Sequence, residues 1–345
     1  MANKPNILIV YTGGTIGMIK DYKTNALRAF DFSRIIAKIP ELEQLDCEIK
    51  SISFEKPIDS SNMNIKYYAD ILEILETNYN NFDGFVVLTG SDTMSYTSSA
   101  ISFMIENLQK PIIFTGSQLP IGDLRTDAKE NLITAIEIAA SRKNNIPIIS
   151  EVCLYFENKL YRANRTTKIS AEQFEAFTSM NYPALAESGV HLNFNEQLLI
   201  KPVFRDKKLI IRKKLVTDVA ILKLFPGITA EVVKAILSIS NLKGVVLETY
   251  GAGNAPNKPW FLNLIEKAIQ NGIKIVAVTQ CSSGSVMLGH YDTSLGLKGI
   301  GVIGAIDITT ESAIAKLMYL LSKDLDEESF QNYFQKSLRG EISGK

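Results

Sequence analysis

The chain is poor in the two residue types on which much catalytic and metal chemistry depends, cysteine and histidine. Its 345 residues include three cysteines and two histidines. Cys47, Cys153 and Cys281 are widely spaced and odd in number, so they fit neither a disulfide framework nor a zinc site. With only His191 and His290 present, a mechanism built on a histidine base has little to draw on. A reducing compartment suits such a chain.

An excess of charge and long apolar runs are also missing. Lys and Arg together number 37, as do Asp and Glu, so the formal net charge is zero. A broad basic field is therefore lacking, and nucleic acid is not an expected partner. No stretch approaches the ~20 apolar residues that span a bilayer. The apolar run Ile7–Tyr11 is far too short for a signal-peptide core. We expect a cytoplasmic protein with no membrane partner.

Short runs rich in Ile and Val recur along the chain, and helix-period segments lie between them. Strands that are apolar on both faces are typical of buried, mostly parallel sheets. Their alternation with helices predicts an α/β fold with helices on both faces of each sheet. The predicted strands are Ile7–Tyr11, Gly84–Thr89, Pro111–Thr115, Val152–Phe156, Val219–Lys223, Gly244–Glu248 and Lys274–Thr279. The predicted helices are Ser95–Leu108, Asp127–Ser141, Ala230–Ser238 and Pro259–Asn271.

The length predicts two domains, at roughly 150 residues each. The basic run Arg205–Lys214 interrupts the alternating pattern. A solvated turn or hairpin at a domain junction explains this run better than a phosphate-binding patch does. We therefore predict an N-terminal α/β domain at 1–204, a linker at 205–217 and a smaller C-terminal α/β domain at 218–345.

Ligands of open α/β sheets bind at the carboxyl ends of the strands, so the residues that follow each strand are candidates for a site. The first such segment is Y-T-G-G-T-I-G at 11–17. Its paired glycines allow a sharp turn that presents backbone N–H groups and the hydroxyl of Thr15. Phosphate binding is the usual alternative for a glycine-rich turn, but neither G-x-G-x-x-G nor the P-loop pattern is present. A dinucleotide enzyme is therefore disfavoured.

Three more polar segments carry hydroxyls and charges. L-T-G-S-D-T-M at 88–94 sets Ser91 beside Asp92, which suits a helix cap or a cluster that binds an ammonium group. R-A-N-R-T-T-K at 162–168 sets Lys168 beside hydroxyls, where it is either solvated or a proton acceptor. P-I-D-S-S-N-M at 57–63 suits a small polar ligand or an ordinary loop. Taken together, these groups favour amide or acyl hydrolysis by a Thr/Lys system.

The same segments resemble the type I (cytoplasmic) bacterial L-asparaginases over essentially the whole chain. In chain order, the matching motifs are Y-T-G-G-T-I-G-M, D-S-S-N-M, G-S-D-T-M-x-Y-T-S-S-A, F-x-T-G-S-Q, L-Y-R-A-N-R-T-T-K, Y-G-A-G-N-A-P, T-Q-C-S-S-G and L-R-G-E. The resemblance implies the two-domain asparaginase-like fold and assembly into dimers or dimers of dimers. It also implies hydrolysis of L-asparagine to L-aspartate and ammonia, without cofactor or metal.

The resemblance also implies a role for each matching residue. Thr15 resembles the nucleophile, which forms an aspartyl ester on its hydroxyl. Ser91, Asp92 and Lys168 match a cluster that assists proton transfer, and Asp92 also holds the substrate's α-ammonium group. Ser117 falls where the family positions the scissile amide. The substrate-binding residues implied in this way are Asp59, Ser60, Ser61, Ser91, Asp92 and Ser117, of which the first three form the loop that binds the α-carboxylate.

The chain departs from the family pattern near the site. Ser91 stands where Thr is usual, and Thr89 stands where His is usual. The lost methyl is worth ~0.8 kcal/mol if buried, or about fourfold in an equilibrium, and serine is less stiff at χ1. A loop tyrosine found in many relatives is replaced at positions 24–26 by T-N-A, although Tyr22 lies in the same loop. We expect weaker activity than that of a threonine enzyme, but not its loss.

A third departure concerns regulation. Glu248 stands where the allosterically activated enterobacterial enzyme uses an arginine, and an acidic side chain cannot pair with the carboxylate of an asparagine effector. Glu248 therefore argues against allosteric activation by asparagine without deciding it, and Cys281 is retained. Two alternatives to an asparaginase stay open. One is a weakly catalytic or non-catalytic asparagine sensor, and the other is an amidase for glutamine or another amide, such as a tRNA amidotransferase subunit.

Overall fold

The computed structural model describes residues 4–20, 27–29, 39–201, 207–290 and 292–344. The chain divides into two compact units, one of residues 1–179 and 183–213 and the other of residues 180–182 and 214–345. Tyr22, positions 24–26 and the first two residues of the predicted linker, Arg205 and Asp206, lie outside the described residues.

The strands of the first unit are mostly short, and the two longest have eight and eleven residues. They are β1 Asn6–Gly13, β2 Met18–Lys20, β3 Leu27–Ala29, β4 Glu48–Ile58, β5 Gly84–Leu88, β6 Ile105–Glu106, β7 Ile112–Thr115, β8 Arg142–Lys143, β9 Ile146–Pro147, β10 Val152–Phe156, β11 Lys159–Arg162, β12 Thr167–Lys168, β13 Phe177–Thr178, β14 Ala186–Ser188, β15 Leu192–Phe194 and β16 Ile210–Ile211. Its α-helices are α1 Ile65–Asn78, α2 Met94–Met104 and α3 Ala128–Ala140.

Eight of these strands form the main sheet, in the order β15-β14-β11-β10-β7-β5-β1-β4. The five strands from β10 to β4 are parallel, and β11, β14 and β15 add an antiparallel edge. Every residue of β5, β7 and β10 is buried. Strands buried on both faces need cover on both faces, and α2 and α3 both pack against this part of the sheet.

The second unit contains a smaller sheet in which all strands are parallel. Its strands are β17 Val219–Lys223, β18 Gly244–Thr249, β19 Lys274–Thr279 and β20 Ile303–Gly304, in that order across the sheet. Its helices are α4 Ala230–Leu237, α5 Pro259–Gln270, α6 Asp292–Gly299, α7 Thr310–Leu321 and α8 Glu327–Gln335. Alternate residues of β18 and β19 pack with α4 and α5 in one apolar core, which includes Val245, Val233 and Phe261.

The predicted fold class, α/β with mostly parallel sheets, is confirmed. All seven predicted strands and four predicted helices are present, with ends shifted by a few residues. The antiparallel edge and the long strand β4 were not predicted. Part of the basic run at 205–214 forms β16, which pairs with β6 in the first unit. Among the described residues, no helix is long and apolar enough to cross a membrane.

Candidate active site

Two glycines shape the turn that presents Thr15. The turn follows β1 directly, and Gly13 and Gly14 have φ angles of 139° and 87°, which L side chains rarely adopt. A Cβ on Gly13 would lie 2.1 Å from the carbonyl oxygen of Ile58, and one on Gly14 would lie 2.4 Å from the backbone nitrogen of Gly90. The Thr15 turn is therefore held against the ends of β4 and β5.

The loops after β4 and β5 also contact each other. A Cβ on Gly90 would lie 2.5 Å from Ser60 Oγ. The Thr93 hydroxyl donates a 2.9 Å hydrogen bond to the carbonyl oxygen of Ser60. Three segments that are distant in sequence, each following a parallel strand, therefore meet at one edge of the sheet, where Thr15 is half-buried.

The loop after β4 exposes Asp59 and Ser61 and buries Ser60. Asp59 Oδ1 accepts hydrogen bonds from Ser61 Oγ at 2.7 Å and from the Ser61 backbone N–H at 2.8 Å. These two bonds hold the pKa of Asp59 below its ordinary value. The loop thus presents the ionised carboxylate of Asp59, and the Ser61 hydroxyl is already engaged as a donor to it.

Lys168 connects the other predicted residues. Its Nζ donates to Ser91 Oγ at 2.9 Å and to Asp92 Oδ1 at 2.6 Å. The Lys168 side chain is 18% exposed, whereas the Asp92 side chain is 66% exposed. The sequence separation is 76 residues or more, so the contact is made by the fold. The Ser91 hydroxyl and the Asp92 carboxylate therefore share one partner, the Lys168 amine, and the Asp92 carboxylate is exposed enough for a ligand to reach.

Gln118, to which the sequence motifs give no role, completes the surroundings of Ser91. Ser91 Oγ donates to Gln118 Oε1 at 3.3 Å, and Gln118 Nε2 donates to the carbonyl oxygen of Gln173 at 3.0 Å. The Ser117 hydroxyl donates to the carbonyl oxygen of Leu119 at 2.6 Å and is therefore engaged within its own loop. The motif T-G-S-Q contained Gln118, but nothing in the motif showed which side chain faces Ser91.

Asp127, at the start of α3, holds the loop of residues 116–119 in place. Its carboxylate accepts from the backbone N–H of Gln118 at 2.9 and 3.1 Å and from that of Leu119 at 3.2 Å. Burial raises the pKa of Asp127, and these hydrogen bonds oppose the shift. Asn131, one turn later on α3, donates to Asp127 Oδ2 at 3.2 Å and to the carbonyl oxygen of Gly116 at 3.0 Å. The 116–119 loop is thereby fixed to α3.

The structure thus brings Ser91, Asp92 and Lys168 into direct contact and sets the Thr15 turn against the turn that precedes Ser91. In the loop after β4, Asp59 and Ser61 are exposed, whereas Ser60 between them is buried. Among the described residues, no group of three or more His, Cys, Asp or Glu side chains could hold a metal ion. The groups gathered here are suited to a small, charged organic ligand.

In the second unit, Glu248 lies at the carboxyl end of β18 and is engaged locally. Its Oε1 accepts from the Thr310 hydroxyl at 2.8 Å, and its Oε2 lies 3.3 Å from Lys223 Nζ. Cys281 is exposed after β19. An acidic side chain held in this way offers no positive charge to a carboxylate.

Comparison with known proteins identifies the family. The family model for the asparaginase N-terminal domain matches residues 6–199. The model for the glutaminase/asparaginase C-terminal domain matches residues 218–334. This chain therefore belongs to the asparaginase family, and the resemblance drawn from its motifs is confirmed.

Individual relatives match nearly the whole of this chain. The chain is 41% identical to L-asparaginase 1 of Escherichia coli K12 over 342 residues, which cover 99% of this chain and 98% of the relative. It is 36% identical to a 60 kDa lysophospholipase of Mus musculus, covering 99% of this chain and 63% of that protein. The crystal structure of L-asparaginase I from Vibrio cholerae superposes with a TM-score of 0.89 at 37% identity, over 99% of this chain and 100% of that one.

Proposed function

We propose that this chain is an L-asparaginase, which converts L-asparagine and water to L-aspartate and ammonia. The observation that carries the proposal is the contact of Lys168 with both Ser91 and Asp92, beside the glycine turn of Thr15. The match to L-asparaginase 1 over 99% of the chain supports the choice of substrate.

In the proposed first step, Thr15 Oγ attacks the carbon of the side-chain amide. The Thr15 proton passes to Ser91 Oγ, and the Ser91 proton passes to the departing nitrogen, so that the C–N bond breaks and ammonia is released while Lys168 holds the Ser91 oxygen. An ester between Thr15 and the β-carboxyl of aspartate remains. Water then attacks this ester by the same proton route in reverse and regenerates the threonine.

Substrate recognition is proposed to use the exposed carboxylate of Asp92 and the loop of Asp59, Ser60 and Ser61. Asp92 is open enough to bind the α-ammonium group while it keeps its contact with Lys168. The loop of Asp59, Ser60 and Ser61 is proposed to bind the α-carboxylate, which requires the Ser61 hydroxyl to turn from Asp59 to the ligand. Ser117 is proposed to position the scissile amide, and its hydroxyl must likewise leave Leu119 to do so.

The decisive assay is ammonia release by the purified protein from L-asparagine and from L-glutamine. Release from asparagine supports the proposal. A preference for glutamine points to an amidase of different specificity. Binding of asparagine seen by calorimetry, without ammonia release, points to a sensor and contradicts the proposed reaction.

The serine at position 91 is a testable handicap. In Ser91→Thr, we expect the rate of ammonia release to equal that of wild type or to exceed it by up to about fourfold. Threonine keeps the hydroxyl, and its additional methyl restricts rotation about χ1. Ser91→Ala is the matched control, which should lose most activity because the hydroxyl between Lys168 and Gln118 is gone. A decrease in Ser91→Thr would mean that the site has no room for the methyl.

The chain is also proposed to lack activation by asparagine. Because Glu248 is paired with Thr310 and Lys223, we expect hyperbolic dependence of rate on asparagine, with a Hill coefficient of about 1. Steady-state kinetics over a wide concentration range test this expectation. A sigmoidal curve that becomes hyperbolic in Glu248→Ala would contradict it.

Location and assembly complete the proposal. The three cysteines are free, and Cys281 is exposed, which suits a reducing cytoplasm. Self-association into dimers or dimers of dimers is proposed from family membership alone. Light scattering of the purified protein tests the assembly, and a monomer at micromolar concentration would contradict it.

A further inference from the structure

A band of buried polar side chains lies between α2 and the single helical turn Ala163–Arg165. The hydroxyls of Thr166 and Ser95 share a 3.1 Å hydrogen bond. Asn164 Nδ2 donates to Ser102 Oγ at 3.2 Å. These four residues, which we call the hydroxyl seam, are at most 4% exposed.

One end of the hydroxyl seam lies close in sequence to Lys168 and to its partner Asp92. Ser95 follows Asp92 by three residues, at the start of α2. Thr166 precedes Lys168 by two residues, and Lys168 itself is paired through β12 with Phe177 on β13. The bond between Ser95 and Thr166 therefore joins the segment that carries Ser91 and Asp92 to the segment that carries Lys168.

Lys168 needs such support, because its ion pair is weak by itself. Asp92 is 66% exposed, and solvent-exposed ion pairs contribute little to fixing a geometry. Breaking the buried hydrogen bond between Ser95 and Thr166 costs more free energy, because neither hydroxyl can bond to water when its partner is lost. The seam is thus the stronger constraint on the position of Lys168.

The bond also has a defined direction. The Thr166 hydroxyl donates to the carbonyl oxygen of Ala163 at 2.7 Å, and a carbonyl can only accept. A hydroxyl has one proton, so Ser95 must donate to Thr166. Removal of the Thr166 oxygen therefore leaves the Ser95 hydroxyl on α2 as a buried donor without its acceptor. The carbonyl oxygen of Ala163 still accepts from the Thr166 backbone N–H at 3.3 Å.

We propose that Thr166, together with Ser95, is a positioning residue that holds Lys168 Nζ on Ser91 and Asp92. It does not touch the substrate and acts through Lys168. The consequence for catalysis rests on the proposed asparaginase function, whereas the placement of Lys168 does not.

The kinetic test uses Thr166→Val, which keeps the shape and removes the hydroxyl. We expect kcat for asparagine to fall about tenfold or more with KM changed less than about twofold, because Lys168 is displaced from the proton route. Thr166→Ser should recover most of kcat. Thr134→Val is the matched control, since it removes a buried threonine hydroxyl that bonds to Glu130 on α3, and its kcat should stay at the wild-type value.

A second measurement needs no enzymatic activity. The rate at which acetic anhydride modifies Lys168, followed by peptide mass spectrometry, reports how well its amine is held. We expect Thr166→Val to raise this rate about threefold or more, while Lys159, paired with Glu175 elsewhere, keeps its rate. Ser95→Ala should act in the same way and serves if Thr166→Val does not fold.

The outcomes separate the two proposals. Faster labelling of Lys168 in a protein whose wild type releases no ammonia would support the positioning role and contradict the asparaginase. Unchanged labelling in both variants would overturn the positioning role, whatever the activity. An equal loss of kcat in Thr134→Val would also overturn it, since the effect would then be general destabilisation.

Discussion

Thr15→Ala is expected to reduce ammonia release from asparagine by about 10⁴-fold or more, because the proposed acyl-enzyme cannot form without the hydroxyl. Asparagine binding should persist, since the proposed ligand contacts lie on other loops. Thr15 is half-buried and begins a short turn held by Gly14 and Gly90, so thermal unfolding should change little. Assays of initial rate and calorimetric binding on the same preparation test both parts.

Thr15→Ser is the matched variant, because it keeps the nucleophilic oxygen and removes one methyl. It should retain measurable turnover well above that of Thr15→Ala. Acid-quenched protein examined by peptide mass spectrometry should carry the aspartyl group on residue 15. An aspartyl group on Ser91, or full activity in Thr15→Ala, would overturn the assignment of the nucleophile.

Lys316→Met is expected to destabilise the second unit by about 3–5 kcal/mol, because it leaves the Glu341 carboxylate buried without its cation. Both side chains of this pair are 0% exposed, and Lys316 Nζ lies 2.5 Å from Glu341 Oε1. The same amine donates to the carbonyl oxygens of Phe334 and Lys336, each at 2.7 Å. Burial lowers the pKa of Lys316, in opposition to the attraction of Glu341.

Chemical denaturation with fluorescence and circular dichroism measures this loss. The double variant Lys316→Met/Glu341→Leu should regain part of the stability, because no charge is then left buried. Full recovery is not expected, since the carbonyl oxygens that bond Lys316 and the backbone N–H groups of Leu338 and Arg339 that bond Glu341 lose their partners. Lys143→Met is the surface control, since Lys143 and its partner Glu196 are 65% and 55% exposed, and it should cost less than about 1 kcal/mol. A loss in Lys316→Met no larger than that in the surface control would contradict the expectation.

The sheets could be predicted because their strands are apolar on both faces. Runs such as Gly84–Leu88 have few other places to fold than a buried sheet. Strand β4 escaped notice because its sequence, E-I-K-S-I-S-F-E-K-P-I, mixes charges and a proline with apolar residues. It lies at the end of the sheet order, and edge strands tolerate such residues.

The site was predictable to a different degree. The motifs indicated that Ser91, Asp92 and Lys168 belong to one cluster. The hydrogen-bond partner of each side chain could not be predicted, because it depends on packing between segments about 76 residues apart. Gln118 and Asp127 were not assigned roles because an amide or a carboxylate in a loop has many ordinary uses. Only the fold shows that one faces Ser91 and the other holds the loop.

The contact between Gly14 and Gly90 has a consequence for changing the substrate preference of this chain. A side chain at either position would push into the backbone or a side chain of a neighbouring loop, so that loops 13–17, 58–61 and 89–93 would have to move together. Variant libraries directed at these glycines would consist mainly of misfolded or inactive members. The 116–119 loop rests on hydrogen bonds to Asp127 and Asn131 rather than on glycine contacts alone, and diversity is better introduced at Ser117 and Gln118.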